Sequence, residues 1–174
     1  MRIGVVAPSS RFSEEAADKV AALAAARHPG AELVFHPQCF LSHHHFAGPD
    51  VARADALVEM ANDPDLDAIW FARGGYGSCR IAETALARLG PAARAKAYLG
   101  YSDAGFLLAG LYRAGFPNVA HVPMMRSQAH CPCRQPAAIT SPARGWADPG
   151  PAASAPAKAA SKAKRSPMGP SYSP

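Results

Sequence analysis

The chain has 174 residues, enough for one domain of ordinary size. Residues 1–125 carry a net charge of −1, whereas residues 126–174 carry +6 and hold nine of the 17 prolines. Because the apolar part is slightly acidic and has no Lys/Arg cluster interleaved with aromatics, a basic nucleic-acid-binding domain is disfavoured. No apolar run approaches the roughly 20 residues that span a bilayer, which argues against an integral membrane protein.

Short apolar runs alternate with amphipathic stretches along residues 1–125, which is typical of an α/β domain. The predicted elements, in chain order, are a strand at 3–7, a helix from an N-cap at Ser13 to about 27, a strand at 31–35, a helix capped by Asp50 to about 61, a strand at 67–72, a helix to about 89, a strand at 97–101, a helix at 103–114 and a short strand at 119–122. This order predicts a parallel sheet flanked by helices, Rossmann-like or flavodoxin-like, with ligand sites beyond the carboxyl ends of the strands.

A serine lies in a tight turn between the fourth predicted strand and the next helix, in the segment Gly100-Tyr101-Ser102-Asp103-Ala104-Gly105. This is the context of a nucleophile elbow, where a strained turn projects the hydroxyl from the sheet and the next backbone N–H stabilises an oxyanion. The alternative is that Ser102 or Asp103 only caps the helix. The motif is not G-x-S-x-G, so the turn alone leaves both interpretations open.

A second unusual turn, Arg73-Gly74-Gly75-Tyr76-Gly77-Ser78, joins the third predicted strand to its helix. The N–H groups of such a turn can cradle a phosphate or complete an oxyanion hole. Its spacing is not that of a dinucleotide fingerprint, and a tight turn that needs positive φ angles is the alternative. Both turns are expected at the carboxyl edge of the sheet, with the Ser102 hydroxyl in the same cleft as Gly74 and Gly75.

Histidines and cysteines suggest metal or disulfide chemistry only weakly. Adjacent side chains of His43-His44-His45 diverge, so a solvated loop is favoured over a metal site. Cys131-Pro132-Cys133 has no second ligand pair at zinc spacing, and the four cysteines are irregularly spaced. No apolar signal segment follows Met1, so we expect a reduced, cytoplasmic protein without metal or cofactor.

Three segments in order resemble one known family, although each turn alone is unspecific. They are GVVAPSS at 4–10, FAGPDVARADALVEMANDPDLDAIWFARGGYGS at 46–78 and YLGYSDAGFLLAGLYRAG at 98–115. Together they resemble the LD-carboxypeptidase family of serine peptidases, also called muramoyltetrapeptide carboxypeptidases. The resemblance covers about residues 1–125.

The resemblance implies roles for residues of both turns. Ser102 corresponds to the nucleophile, and the backbone N–H groups at Asp103 and near Gly74 and Gly75 correspond to the oxyanion site. It implies a cytoplasmic hydrolase that removes the terminal D-alanine from murein tetrapeptide in peptidoglycan recycling, without a metal or cofactor. The expected partner is this or a related L,D-peptide, with no nucleic acid and no membrane, and a homodimer stays open.

The chain departs from the family where the catalytic triad is completed. Family members continue into a second domain that supplies a Glu and then a His, whereas here no Glu follows Glu83, and His121 and His130 are the histidines after Ser102. A serine without an adjacent base is a poor nucleophile, so we expect a truncated, inactive form. The alternatives are a non-catalytic peptide-binding module and a nucleotide-binding α/β domain that uses the 73–78 turn.

Residues 126–174 differ in composition from the predicted domain. They contain no Leu, Val or Phe, and 28 of the 49 are Ala, Pro, Gly or Arg. Such a segment has little to bury, so we expect a disordered basic tail. Its residue types are also those of a GC-rich gene read out of frame, so we expect a frameshift near codons 123–130, with a genuine Pro/Ala-rich linker as the alternative.

Overall fold

The computed structural model describes residues 1–122. The strands are β1 Arg2–Val6, β2 Glu32–Phe35, β3 Ala68–Phe71, β4 Ala97–Gly100 and β5 Val119–His121. The helices are α1 Glu14–Arg27, α2 Asp50–Asn62, α3 Ser78–Leu86, α4 Pro91–Arg94 and α5 Gly105–Arg113, with 3-10 turns at Pro37–Phe40 and Ser102–Ala104. Within this described part, no helix is long and apolar enough to cross a membrane. The tail predictions, including Cys131 and Cys133, fall outside it.

The five strands form one parallel sheet in the order β2-β1-β3-β4-β5. This is the flavodoxin-like order, in which the chain moves to one side of β1 and then crosses to the other. The predicted parallel sheet flanked by helices is therefore confirmed. Because all strands run the same way, the turns that follow β1, β3 and β4 meet at one edge.

Both faces of the sheet are buried, as two adjacent residues of β1 illustrate. Val5 and Val6 are both fully buried, yet they belong to separate apolar clusters because successive side chains of a strand point to opposite faces. Val6 joins the larger cluster, to which α2, α3 and α5 contribute, and Val5 joins the smaller one, to which α1 contributes. Two-sided burial is why these strands appear as continuous apolar runs in the sequence.

The helix starts agree with the sequence at one position and differ at another. Ser13 caps α1 as predicted, because its hydroxyl accepts a hydrogen bond of 3.2 Å from the Ala16 N–H. The predicted cap at Asp50 is wrong: Pro49 occupies the N-cap position of α2 without a side-chain cap bond. Asp50 is instead the first helical residue, and its carboxylate binds arginines.

The helix predicted to run to about residue 89 is shorter in the structure. α3 ends at Leu86, and the one-turn helix α4 follows Gly90 with Pro91 at its first position. Proline suits this position because its fixed φ is helical and its missing N–H would have no partner there. The chain thus breaks before β4, which brings Lys96 into hydrogen bonds with the carbonyl groups of Asp63 and Leu66.

Candidate active site

Ser102 occupies a strained turn directly after β4. Its φ angle is +55°, in the left-handed region that residues other than glycine and asparagine rarely adopt. The side chain is exposed, and the chain continues through the 3-10 turn Ser102–Ala104 into α5. The expected strained strand-to-helix turn is therefore confirmed in its geometry.

The glycine-rich turn lies against this serine. A methyl group added to Gly74 would lie 2.7 Å from Ser102 Cβ and 3.0 Å from Ser102 Oγ, too close for any side chain. Gly75 has a φ angle of +128° and packs on the Ser10 side chain, and Gly77 has a φ angle of +118°. The two turns are neighbours at the same edge, as the sequence predicted, and Gly75 and Gly77 also show the positive φ angles that a tight turn needs.

Asp103 links three loops through its side chain and its carbonyl group. One carboxylate oxygen, Oδ2, accepts hydrogen bonds from the Ser9 hydroxyl at 2.5 Å and from the Ser78 N–H at 2.8 Å. The Asp103 carbonyl oxygen accepts a further bond from the Ser78 hydroxyl. All three residues are buried, so this network lies beneath the exposed Ser102.

The network argues against one of the two interpretations that the sequence left open, that of a helix cap. Neither Ser102 nor Asp103 caps the helix that follows it, since neither the 3-10 turn nor α5 has a side-chain cap bond. The Asp103 carboxylate instead meets the first N–H of α3, at Ser78. A helix N-terminus favours an anion, and here the anion is the protein's own carboxylate, which disfavours a phosphate at that point.

Arg53, which the sequence interpretation missed, bonds to the loops after β1 and β3 from the α2 side. Its side chain is fully buried on α2, and its guanidinium donates to the carbonyl oxygens of Pro8 and of Gly77, the latter at 3.0 Å. It also forms an ion pair of 2.5 Å with Asp50 and lies 4.7 Å from the centre of the Phe46 ring. A buried charge needs such partners, and here they fix the loops after β1 and β3.

Asp50 joins Arg53 to a second, exposed arginine. Its other carboxylate oxygen pairs with Arg80 at 2.7 Å. The hydrogen bond from Arg80, followed by that from Arg53, holds the pKa of Asp50 below its ordinary value. The carboxylate therefore stays charged and keeps Arg53 paired at neutral pH.

Neither the histidine run at 43–45 nor His121 hydrogen-bonds to Ser102 or Asp103. His43, His44 and His45 are exposed in the loop before α2, with a φ angle of +54° at His44. Within residues 1–122, no group of three His, Cys, Asp or Glu side chains is close enough to hold a metal ion. His121 ends β5 opposite Gly100, and its ring centre lies 5.4 Å from that of Tyr101.

Comparison with known proteins identifies relatives that share this region. The family model described as the LD-carboxypeptidase N-terminal domain matches residues 3–121. A curated Streptomyces coelicolor protein that is named as a carboxypeptidase is 37% identical over 105 residues, which is 59% of this chain.

Two solved structures have the same fold in part. The muramoyltetrapeptide carboxypeptidase from Oxalobacter formigenes superposes with a TM-score of 0.59 at 22% identity and covers 73% of this chain. The microcin C7 self immunity protein MccF, solved with aspartyl sulfamoyl adenosine, superposes with a TM-score of 0.54 at 26% identity and covers 65%. The chain spans 33% of the Streptomyces relative and 41% and 34% of these two structures, so the likeness concerns the domain that bears both turns.

Proposed function

Because the chain belongs to the LD-carboxypeptidase family, we propose that its described domain is the nucleophile-bearing part of a serine-type carboxypeptidase. Its substrate is the murein tetrapeptide or a related L,D-peptide, from which the family removes a terminal D-alanine in the cytoplasm. The domain extends to about residue 125. The observation that carries the proposal is the left-handed, exposed Ser102 packed against Gly74.

Each group at the two turns has one task in this reaction. Ser102 Oγ attacks the carbonyl carbon before D-alanine and forms an ester, while the bond to the D-alanine nitrogen breaks and that nitrogen takes up the proton lost by the serine. Water then hydrolyses the ester and restores the Ser102 hydroxyl. The N–H groups of Asp103 and Gly75 stabilise the oxyanion of the tetrahedral intermediate. Ser102 and Asp103 open the 3-10 turn, and the first N–H groups of a helix have no partner within it, which supports this role.

The proton of Ser102 requires a base, and the described residues do not supply one in a triad. Ser102 Oγ makes no hydrogen bond to a histidine or carboxylate within residues 1–122, and Glu83 is exposed on α3. We expect this chain alone to release no D-alanine, since most of the rate of such enzymes depends on the base. Without turnover, the two adjacent turns are still present, so a non-catalytic peptide-binding module is the second candidate.

Labelling of Ser102 by a fluorophosphonate tests the proposal. We expect slow, stoichiometric labelling of Ser102 in the folded chain, because its turn is exposed and flanked by oxyanion donors. Ser102→Ala should lose the label, and the matched variant Ser42→Ala, in an exposed loop, should keep it. Equal labelling of the urea-unfolded chain, or protection of the 73–78 turn by inorganic phosphate, would count against the peptidase.

Incubation with murein tetrapeptide tests the expected inactivity separately. The chain and Ser102→Ala should release the same background amount of D-alanine, measured by chiral chromatography. Turnover that disappears in Ser102→Ala would support the peptidase and show that a base is present. His121, at the same edge of the sheet, and the histidines of the 43–45 loop are then the first candidates for that base and the first residues to replace.

A further inference from the structure

The conformation of Ser102 needs something to hold it. A serine in the left-handed region persists only where its surroundings impose that geometry. The Ser102 side chain is exposed and makes no hydrogen bond within the described residues, and it packs against Gly74. Packing against a glycine does not fix a backbone angle by itself, whereas a polar anchor beside Ser102 in the chain can.

Asp103 is the neighbour with the contacts to impose it. Its side chain and carbonyl group make three hydrogen bonds, one to Ser9 in the loop after β1 and two to Ser78 at the start of α3. Ser9 and Ser78 are both completely buried. Because these partners belong to other strands' loops, they fix the position and rotation of Asp103, and hence of the peptide that joins it to Ser102.

We propose that the carboxylate of Asp103 is a positioning group that holds Ser102 in the left-handed conformation and against Gly74. This role is additional to that of its backbone N–H, and its catalytic consequence rests on the proposed function. The same carboxylate anchors Ser78, the last residue of the glycine-rich turn. One side chain thus sets the distance between the serine hydroxyl and the glycine N–H groups on the opposite turn.

The bonding pattern predicts how substitutions at this position differ. Both side-chain bonds converge on Oδ2, whereas Oδ1 has no partner within the described residues. An asparagine can place its single amide oxygen at Oδ2 and accept both bonds, so Asp103→Asn should preserve the geometry. Asp103→Ala removes this shared acceptor and leaves the Ser78 N–H and the Ser9 hydroxyl without it.

Backbone chemical shifts and hydrogen exchange test the proposal without any substrate. In Asp103→Ala we expect Ser102 Cα and Cβ shifts to leave the left-handed range and the Ser78 amide to exchange faster, on the order of tenfold. Asp103→Asn should restore both. Ser9→Ala, which removes one bond, should be intermediate, and it serves if Asp103→Ala does not fold. Asp55→Ala, on the exposed face of α2, is the control that should change neither.

Reactivity separates positioning from general stabilisation. The fluorophosphonate labelling rate of Ser102, measured well below the unfolding temperature of each variant, should fall in Asp103→Ala and recover in Asp103→Asn. A folded Asp103→Ala or Ser9→Ala variant that keeps Ser102 left-handed and equally reactive would overturn the proposal. The proposal would also be overturned if Asp103→Asn changed the Ser102 shifts and the labelling rate as much as Asp103→Ala does. Failure of the peptidase reaction itself would leave the shift and exchange results unaffected, so the two failures are distinguishable.

Discussion

Two regions of the domain are stabilised by different physics. The cluster beneath α2, α3 and α5 consists of apolar side chains such as Leu57, Ile69 and Leu107, each at most 1% exposed. The carboxyl edge is held by buried polar groups, chiefly Arg53 and Asp103, that bond to loops. Apolar packing depends on volume, whereas a buried hydrogen bond depends on atom type and position. The first region should therefore tolerate substitutions of similar size, and the second should not.

The largest effect is expected in the apolar cluster. Leu57→Ala should lower the free energy of unfolding by about 3 kcal/mol, because it leaves a cavity in a fully buried site. Leu57→Met, which conserves volume, should cost less than about 1.5 kcal/mol. Urea unfolding followed by circular dichroism measures both, and equal losses in the two variants would contradict packing by volume.

A somewhat smaller loss is expected when the polar edge loses Arg53. Arg53→Ala should lower the free energy of unfolding by about 2 kcal/mol, because it leaves the carbonyl groups of Pro8 and Gly77 without donors. Arg53→Met keeps most of the side-chain volume but has no donor, so it should recover little of the lost stability. At Leu57, by contrast, the methionine variant should recover much of the loss caused by alanine. Arg80→Ala, which removes the exposed partner of the same Asp50, should change stability by less than about 0.5 kcal/mol. A fully stable Arg53→Met would show that the edge is also held by packing.

Substitutions at two glycines test whether the glycine-rich turn contacts the serine turn. Gly74→Ala places a methyl group against Ser102 and should cost about 1–2 kcal/mol by overpacking. It should also change the labelling rate of Ser102. Gly30→Ala meets nothing within 4 Å and should be neutral within about 0.5 kcal/mol. If the two variants behave alike in thermal unfolding and labelling, the turns are not in contact in solution.

The smallest effect concerns pH and a thiol in the second apolar cluster. Burial raises the pKa of Cys39 to about 12. Between its ordinary pKa and this value the unfolded thiol ionises while the folded one stays protonated, so stability falls as the pH rises. We expect a loss of about 1 kcal/mol between pH 7 and pH 9.5. Cys39→Ala should reduce this loss, whereas Cys79→Ala, at an exposed site, should not. Urea unfolding at both pH values measures the loss in each variant.

Features dictated by local chemistry were predictable from the sequence. The buried parallel strands appear as apolar runs, and Ser13 followed by Glu14 and Glu15 predicts the start of α1, as the structure confirms. The two turns were also predictable, because a serine flanked by glycines and a run of glycines each come directly after a predicted strand. Helix α4 was missed because four residues are too few to show helical periodicity.

The polar network was harder to predict because its bonds join distant parts of the chain. The partners of Asp103 lie on other loops, and nothing in the GYSD segment indicates which groups its carboxylate meets. Arg53 did carry a signal. It stands in line with Ala56, Leu57 and Met60 at the spacing of the apolar stripe of α2, and a charged residue in such a stripe is typical of a buried, paired charge.

The hydrogen bond between Ser9 and Asp103 also bears on how the domain folds. The two residues are 94 positions apart, and in the sheet β4 lies beside β3, which separates it from β1. Contacts of such long sequence separation form late, since a large loop must close first. On a ribosome, the serine turn acquires its final shape only after the first four strands have left the exit tunnel. The local residues thus favour a tight turn, and the contacts of the completed sheet hold its left-handed backbone in place.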